Sequence, residues 1–228
     1  MRKPKDQGTR TLMKWLILAL PLYLTSCGPD EIAVTHVSMQ PSDWEIQHSY
    51  GMSAHPTAAS GGWVFSFPDG RDNCVSKTDA NCPGVHYVTT KYTATMNDTV
   101  VIHIEGKIEA DPTVVWNYRF EKANKCNTPA IVHVMLQIKN DDLIASDGRY
   151  WSNASGITLT NGPFNLDISV SEGDWTNVDG GFNKEGFDRL LKNMGNVGFT
   201  FGGGCFFGHG VSVSEGEAKF YLNSFTIE

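Results

Sequence analysis

The sequence predicts an all-β chain, a two-sheet antiparallel jelly-roll-like β-sandwich with one short helix near residues 184–194. Three observations predict it. About ten short runs alternate apolar and polar residues with period two, turn residues separate the runs, and one stretch alone has helical spacing. Two sheets packed face to face bury so many one-faced strands most simply.

In chain order, residues 28–43 read as a spacer running into a first strand around Ile32 to Val37. Strands follow at Trp63–Phe67 and Val85–Tyr92. In Thr99 to Ala110, Val100, Ile102, Ile104 and Ile108 share one face, and Val101, His103, Glu105, Lys107 and Glu109 the other. Val114–Phe120 comes next. In Ile131 to Lys139, Val132, Val134, Leu136 and Ile138 oppose His133, Met135, Gln137 and Lys139. After Ile157–Thr160, Phe164, Leu166, Ile168 and Val170 oppose Asn165, Asp167 and Ser169. Val197–Phe201, Val211–Val213 and Ala218–Ile227 complete the set. Pro68-Asp69-Gly70, Asp111-Pro112, Asp147-Gly148 and Asn161-Gly162 are the turns, and Asn161-Gly162 is the strongest hairpin signal. For the helix, Asn183 is the N-cap and Glu185 sits in the first turn. Phe187, Leu190, Leu191 and Met194 form the apolar stripe, and Gly195 is the expected stop. That stripe should close one end or flank of the sandwich.

The N-terminus is an export signal. Arg2, Lys3, Lys5, Arg10 and Lys14 give a basic start, and Trp15 to Tyr23 is far shorter than the ~20 apolar residues of a membrane span. Leu24-Thr25-Ser26-Cys27 resembles the lipobox of bacterial lipoproteins. The resemblance implies cleavage before Cys27, acylation of its thiol and new amino group, and a membrane partner reached through that lipid anchor. It places the chain in a bacterial cell envelope, facing periplasm or exterior. The organisation expected is signal peptide 1–26, acylated cysteine and spacer 27–43, and sandwich 44–228. The plainer alternative is an ordinary secretory peptide with an incidental cysteine.

The leader holds five of the 18 Lys+Arg and one of the 25 Asp+Glu, so 13 bases and 24 acids remain, a net charge of −11. Such a chain lacks the basic surface that phosphate contacts need, which argues against nucleic acid. It should also avoid lying flat on anionic lipid. Cys74, Cys82, Cys126 and Cys205 are an even set in an exported chain and read as two disulfides. Three connectivities are open; Cys74–Cys82 with Cys126–Cys205 is preferred.

Catalytic signatures are missing: there is no Gly-x-Ser-x-Gly, His-Glu-x-x-His or phosphate-binding loop ending in Gly-Lys-Ser/Thr. The run Gly202 to Gly210 has the glycines of a phosphate loop without its lysine. Glu105 and Glu109 share a strand face with lysine between them, which a solvated edge explains as well as a glycosidase pair does. His103 and His133 could meet on adjacent strands around a metal, but no helper ligand can be placed, so no metal is assigned.

The aromatics point toward sugar. Trp116, Tyr118 and Phe120 share a face, Arg149-Tyr150-Trp151-Ser152-Asn153 lies beside a turn, and Trp175 sits in the loop Glu172 to Gly180. Pyranose C–H faces stack on such rings, while hydroxyls seek Arg, Asn, Gln, Asp and His. A polar sheet face carrying His103, Glu105, His133, Gln137 and Lys139 would suit a glycan. Four stretches, Gly61–Phe67, Arg149–Ser152, Gly198–Gly203 and Ala218–Ile227, resemble the galactose-binding-like jelly rolls of carbohydrate-binding modules. The resemblance implies the sandwich over 44–228. It also implies a structural calcium near the chain ends, for which Glu31, Asp43 and Glu228 offer oxygens without a confirming spacing. The reading is a lipid-anchored, non-enzymatic saccharide-binding module using Trp151, Tyr118, Arg149, Gln137 and His209. Its rivals are an envelope scaffold whose aromatics are all core and an uncharacterised polysaccharide hydrolase or lyase.

Overall fold

A computed structural model describes residues 34–48, 53–70, 84–118, 129–153, 156–203 and 209–228. All five cysteines, with Glu31 and Phe120, lie outside the described residues. The elements are β1 Thr35–His36, β2 Trp44–His48, β3 Ser53–Ala54, β4 Thr57–Ala59, β5 Gly62–Ser66, β6 Val85–Lys91, β7 Val101–Ala110 and β8 Val115–Tyr118. Then come β9 Ala130–Ile138, β10 Arg149–Ser152, β11 Ile157–Thr158, β12 Gly162–Ser169, β13 Trp175–Asn177, α1 Lys184–Lys192, β14 Met194–Gly203, β15 Val211–Glu215 and β16 Ala218–Ile227.

They form the two expected antiparallel sheets. The smaller has the order β12-β7-β16-β5-β4, with β1 also on β16; the larger has β13-β10-β9-β14-β6-β15-β8, with β11 on β9, β2 on β6 and β3 on β2. The apolar alternation read from sequence turns inward as it should: Ile102, Ile104 and Ile108 of β7 and Val132, Val134 and Leu136 of β9 are all buried. Phe220 of β16 is the hinge of the interlayer packing. Its ring lies 5.3 Å from Phe199 and 5.7 Å from Phe201 on the facing sheet, and 5.6 Å and 6.1 Å from Phe65 and Trp63 on its own. Edge, tilted and offset-stacked contacts of this kind add to the burial of each ring.

Two local expectations change. Asn161-Gly162 does not join a hairpin, because β11 pairs with β9 and β12 pairs with β7 in the other sheet. The dipeptide carries the chain between layers instead, with Gly162 at φ +140° and Asn161 Oδ1 accepting the Ala110 amide at 3.1 Å. The helix stops at Lys192 with Asn193 as its C-cap, and Met194 already opens β14. Gly195 serves close approach rather than termination: a Cβ there would sit 2.7 Å from the Lys139 Cα. Asn183 does cap the helix, accepting from the Gly186 amide. The Phe187 ring packs 4.9 Å from Tyr150 and 6.0 Å from Trp175, so α1 closes the flank beside β10 and β13.

Phe220→Ala should cost about 3–5 kcal/mol, read as a drop in the urea midpoint with unchanged slope. A loss under about 1 kcal/mol would mean that the layers do not pack through this ring.

Candidate functional site

The larger sheet presents its second face away from the hydrophobic core, and strand register says which side chains share it. Arg149, Gln137, Asn196 and Lys91 form one row across β10, β9, β14 and β6. Trp151, Met135, Gly198 and Thr89 form the next, and His133, Thr200 and Tyr87 the third. Much of this face is as buried as the core: Trp151, Met135, His133, Arg149, Thr89 and Thr200 are all at most 5% exposed. Gln137, Asn196 and Tyr87 are half-buried, and Lys91 is exposed. The face therefore runs from a closed end to an open one.

One chain of polar contacts crosses it. Asn196 Nδ2 donates to Gln137 Oε1 at 2.8 Å, and Gln137 Nε2 donates to Asp141 Oδ2 at 2.9 Å. The same carboxylate oxygen lies 2.9 Å from Arg149 Nε in an ion pair almost removed from water. Arg149 Nη2 donates to the Leu143 carbonyl at 2.9 Å, and Nη1 reaches the Tyr87 hydroxyl at 3.4 Å. β10 and β6 are three strand spacings apart, roughly 14 Å. The guanidinium and the tyrosine thus meet diagonally above the row where Gly198 has no side chain. A Cβ on Gly198 would lie 2.1 Å from the Val88 carbonyl oxygen, so the strand needs glycine there as well.

His133 is buried and neutral. Its Nδ1 lies 2.5 Å from the Ser152 carbonyl, which can only accept, so Nδ1 carries the proton and Nε2 the lone pair. Burial pulls its pKa down to about 4, against the upward pull of that hydrogen bond. Thr200, beside it on β14, is fully buried, and among the described residues its Oγ1 has no hydrogen-bond partner. A desolvated hydroxyl of this kind costs about 1–3 kcal/mol until something satisfies it.

Of the five residues expected at the site, the structure brings together Arg149, Gln137 and Trp151. Trp151 is 4% exposed and offers no open ring face. Tyr118 is 6% exposed and belongs to the interlayer core, where its ring fills the space a Gly203 Cβ would take. Trp116 also packs inward, edge-on to Phe67 at 4.9 Å. His209 is half-buried just before β15, next to Gly210, which abuts His86. Asp141, Asn196, Tyr87 and Thr200 were missed, although the alternation of Tyr87, Thr89 and Lys91 within Val85–Tyr92 is a readable signal for Tyr87.

The single polar face expected from sequence is divided. His103 and Glu105 sit on β7 of the smaller sheet, while His133 and Gln137 sit on β9 of the larger, so the two histidines do not share neighbouring strands. His103 lies between carboxylates, with Nδ1 2.5 Å from Asp167 Oδ1 and Nε2 2.6 Å from Glu228 Oε1. The Asp167 contact, then the two negative charges, raise its pKa. Among the described residues, no group of three or more His, Cys, Asp or Glu could hold a metal ion. Of the proposed calcium oxygens, Asp43 accepts from Ser38 and Glu228 contacts His103.

No protein-family model matches the sequence, and no curated protein matches it. Among solved structures, a xylan-binding module CBM15 is similar at 15% identity and TM-score 0.45, over 86% of this chain and 95% of that one. A mutant of Xylanase10C from Cellvibrio japonicus in complex with xylopentaose is similar at 13% identity and TM-score 0.41, over 82% of this chain and 28% of that one. Neither likeness carries a ligand or a residue role over to this chain.

Removing one member of the ion pair leaves a buried unpaired charge. Arg149→Met should therefore cost about 3–5 kcal/mol, and Arg149→Met with Asp141→Leu should recover most of it in urea unfolding. A double variant no more stable than the single would deny that the pair is desolvated. The histidines set two pH windows. The folded pKa of His133 lies below its unfolded value near 6.5, so stability is lost as pH falls from about 6.5 to about 4, by roughly 3 kcal/mol. The folded pKa of His103 is raised, so its contribution is complete below about 6.5 and is lost as pH climbs above that. His133→Asn should flatten the acid limb of a Tm-against-pH profile and leave the alkaline limb unchanged.

Proposed function

We propose that the chain is a non-enzymatic saccharide-binding module, anchored in the cell envelope through lipid on Cys27, whose site is the open end of the larger sheet's second face. The observation that carries this reading is the fixed polar row Asn196–Gln137–Asp141–Arg149, ending at the half-buried Tyr87 ring. Sugar hydroxyls need donors and acceptors held at set positions beside an aromatic surface, and preorganised groups lose less entropy on binding. Gln137 and Asn196, both half-buried, are the hydroxyl-reading groups of this proposal, and the buried Arg149 positions them from beneath through Asp141. Tyr87 takes the stacking role, since Trp151 lies beneath the surface and serves as the floor. Tyr118 supports the core, and His209 flanks the far side near His86.

The burial of Trp151 and Tyr118 favours one competing reading, an envelope scaffold with no glycan site. Affinity electrophoresis of residues 28–228 through gels holding arabinoxylan, mixed-linkage β-glucan, galactomannan or pectin separates the two. Retention on at least one polysaccharide is expected, weakened on the order of tenfold by Tyr87→Ala and little by Tyr87→Phe. No retention on any of them leaves the scaffold reading.

A further inference from the structure

Six large hydrophobic side chains are exposed among the described residues, and four of them occupy two adjoining loops: Leu143 at 52%, Ile144 at 85%, and Val178 and Phe182 at 38% each. The loops are joined by the Val178 amide donating to the Ser146 carbonyl at 3.4 Å. Clustered apolar exposure of this kind marks an interaction surface more than scattered single residues do.

The loop carrying Leu143 and Ile144 is held rigidly. Asp141 Oδ1 accepts the Leu143 amide at 3.1 Å, and Asp142 Oδ1 accepts the amides of Ile144 at 2.9 Å and Ala145 at 3.3 Å. Arg149 Nη2 fixes the Leu143 carbonyl. Leu143 itself sits at φ +63°, a left-handed conformation that costs a leucine of order 1–2 kcal/mol and that glycine would adopt freely. An unfavourable backbone and two exposed apolar side chains are thus maintained together. Asp141 is the common member: one oxygen holds this loop, and the other holds Arg149 and Gln137. The apolar tip and the polar row are one rigid unit.

The geometry points to this tip as the apolar wall of the saccharide site, with Leu143 and Ile144 packing against ring C–H faces of a neutral polysaccharide while the row beside them reads hydroxyls. The inference rests on the saccharide reading above. Charge selects the occupant. With a net charge of −11 beyond residue 26, and Asp142 at the tip itself, a second copy of the chain, an anionic membrane or a uronate-rich polymer is repelled, and an uncharged glycan is not.

The test compares wild type, Ile144→Ser, Leu143→Gly and, as a control, Val115→Ser, an exposed valine of β8. Each is run on whichever neutral polysaccharide retains the wild type and on vesicles of zwitterionic and of anionic phospholipid. Ile144→Ser and Leu143→Gly should each weaken retention on the order of tenfold. Thermal midpoints should be unchanged for Ile144→Ser and unchanged or higher for Leu143→Gly, whose backbone strain is relieved. Val115→Ser should bind as wild type. Wild-type retention equal in all variants overturns the wall and leaves the sheet-face site standing. Equal loss in Val115→Ser also overturns it, as does a loop-dependent sedimentation with either vesicle. Failure of the wild type on every polysaccharide removes both proposals together.

Discussion

Burial on both faces is the constraint under which the larger sheet is built. A sheet open to water on one side can leave its polar side chains to the solvent. Here most residues alternating with the core set on β9, β10 and β14 are closed off as well, with Gln137 and Asn196 half-buried, so polar groups gain by finding partners within the face. The line from Asn196 through Gln137 and Asp141 to Arg149 is the result, and it fixes side-chain orientation across three strands. Thr200 stands outside that line, a buried hydroxyl with no partner among the described residues. Packing between layers meets a simpler demand, since rings such as Phe199, Phe201 and Phe220 need only fill volume.

The helix flank obeys the same rule at a smaller scale. Asp147 is held by Asn177 Nδ2 at 2.9 Å, by Asn183 Nδ2 at 2.6 Å and by the Tyr150 hydroxyl at 2.9 Å. Burial pushes its pKa up, but these three donors outweigh it and the net shift is downward. The same contact, after burial, raises the Tyr150 phenol. Gly186 in the first turn of α1 lies so close to Asp147 that a Cβ would sit 2.7 Å from its Cγ. The carboxylate therefore ties β10, β13 and the start of the helix together, and Phe187 is held against Tyr150 as a consequence.

The all-β class, the two layers and most strand positions were legible because period-two alternation is local: Ala218–Ile227 is a strand over the very residues read from sequence. Sequence alone places Arg149–Asn153 beside a turn and Trp175 in a loop because β10 and β13 are four and three residues long, too short for alternation to show. The Asn161-Gly162 hairpin signal is local too, and long-range pairing overrode it. At the site, Arg149, Gln137 and Trp151 were found by residue type. What could not be read was which sheet each strand joins, and so His103 was grouped with His133 when they lie in different layers. The aromatic rings were the least legible, since a tryptophan in a two-layer protein has the same sequence whether it lies over the core, as Trp151 does, or within it, as Trp175 does.

Stability alone does not explain the Arg149–Asp141 pair. Two desolvated charges cost several kcal/mol each, and an apolar pair of similar volume is commonly as stable or more so. What such a pair could not do is hold the Gln137 amide, the Leu143 carbonyl and the Leu143 amide at set positions at once, as these two side chains do. The same two residues also impose the left-handed Leu143 that displays the loop tip. A fold under selection for rigidity alone would place glycine at that φ and an apolar contact beneath it. The cost at both positions goes with a surface whose polar and apolar parts are fixed relative to each other, the property that the proposed saccharide site requires.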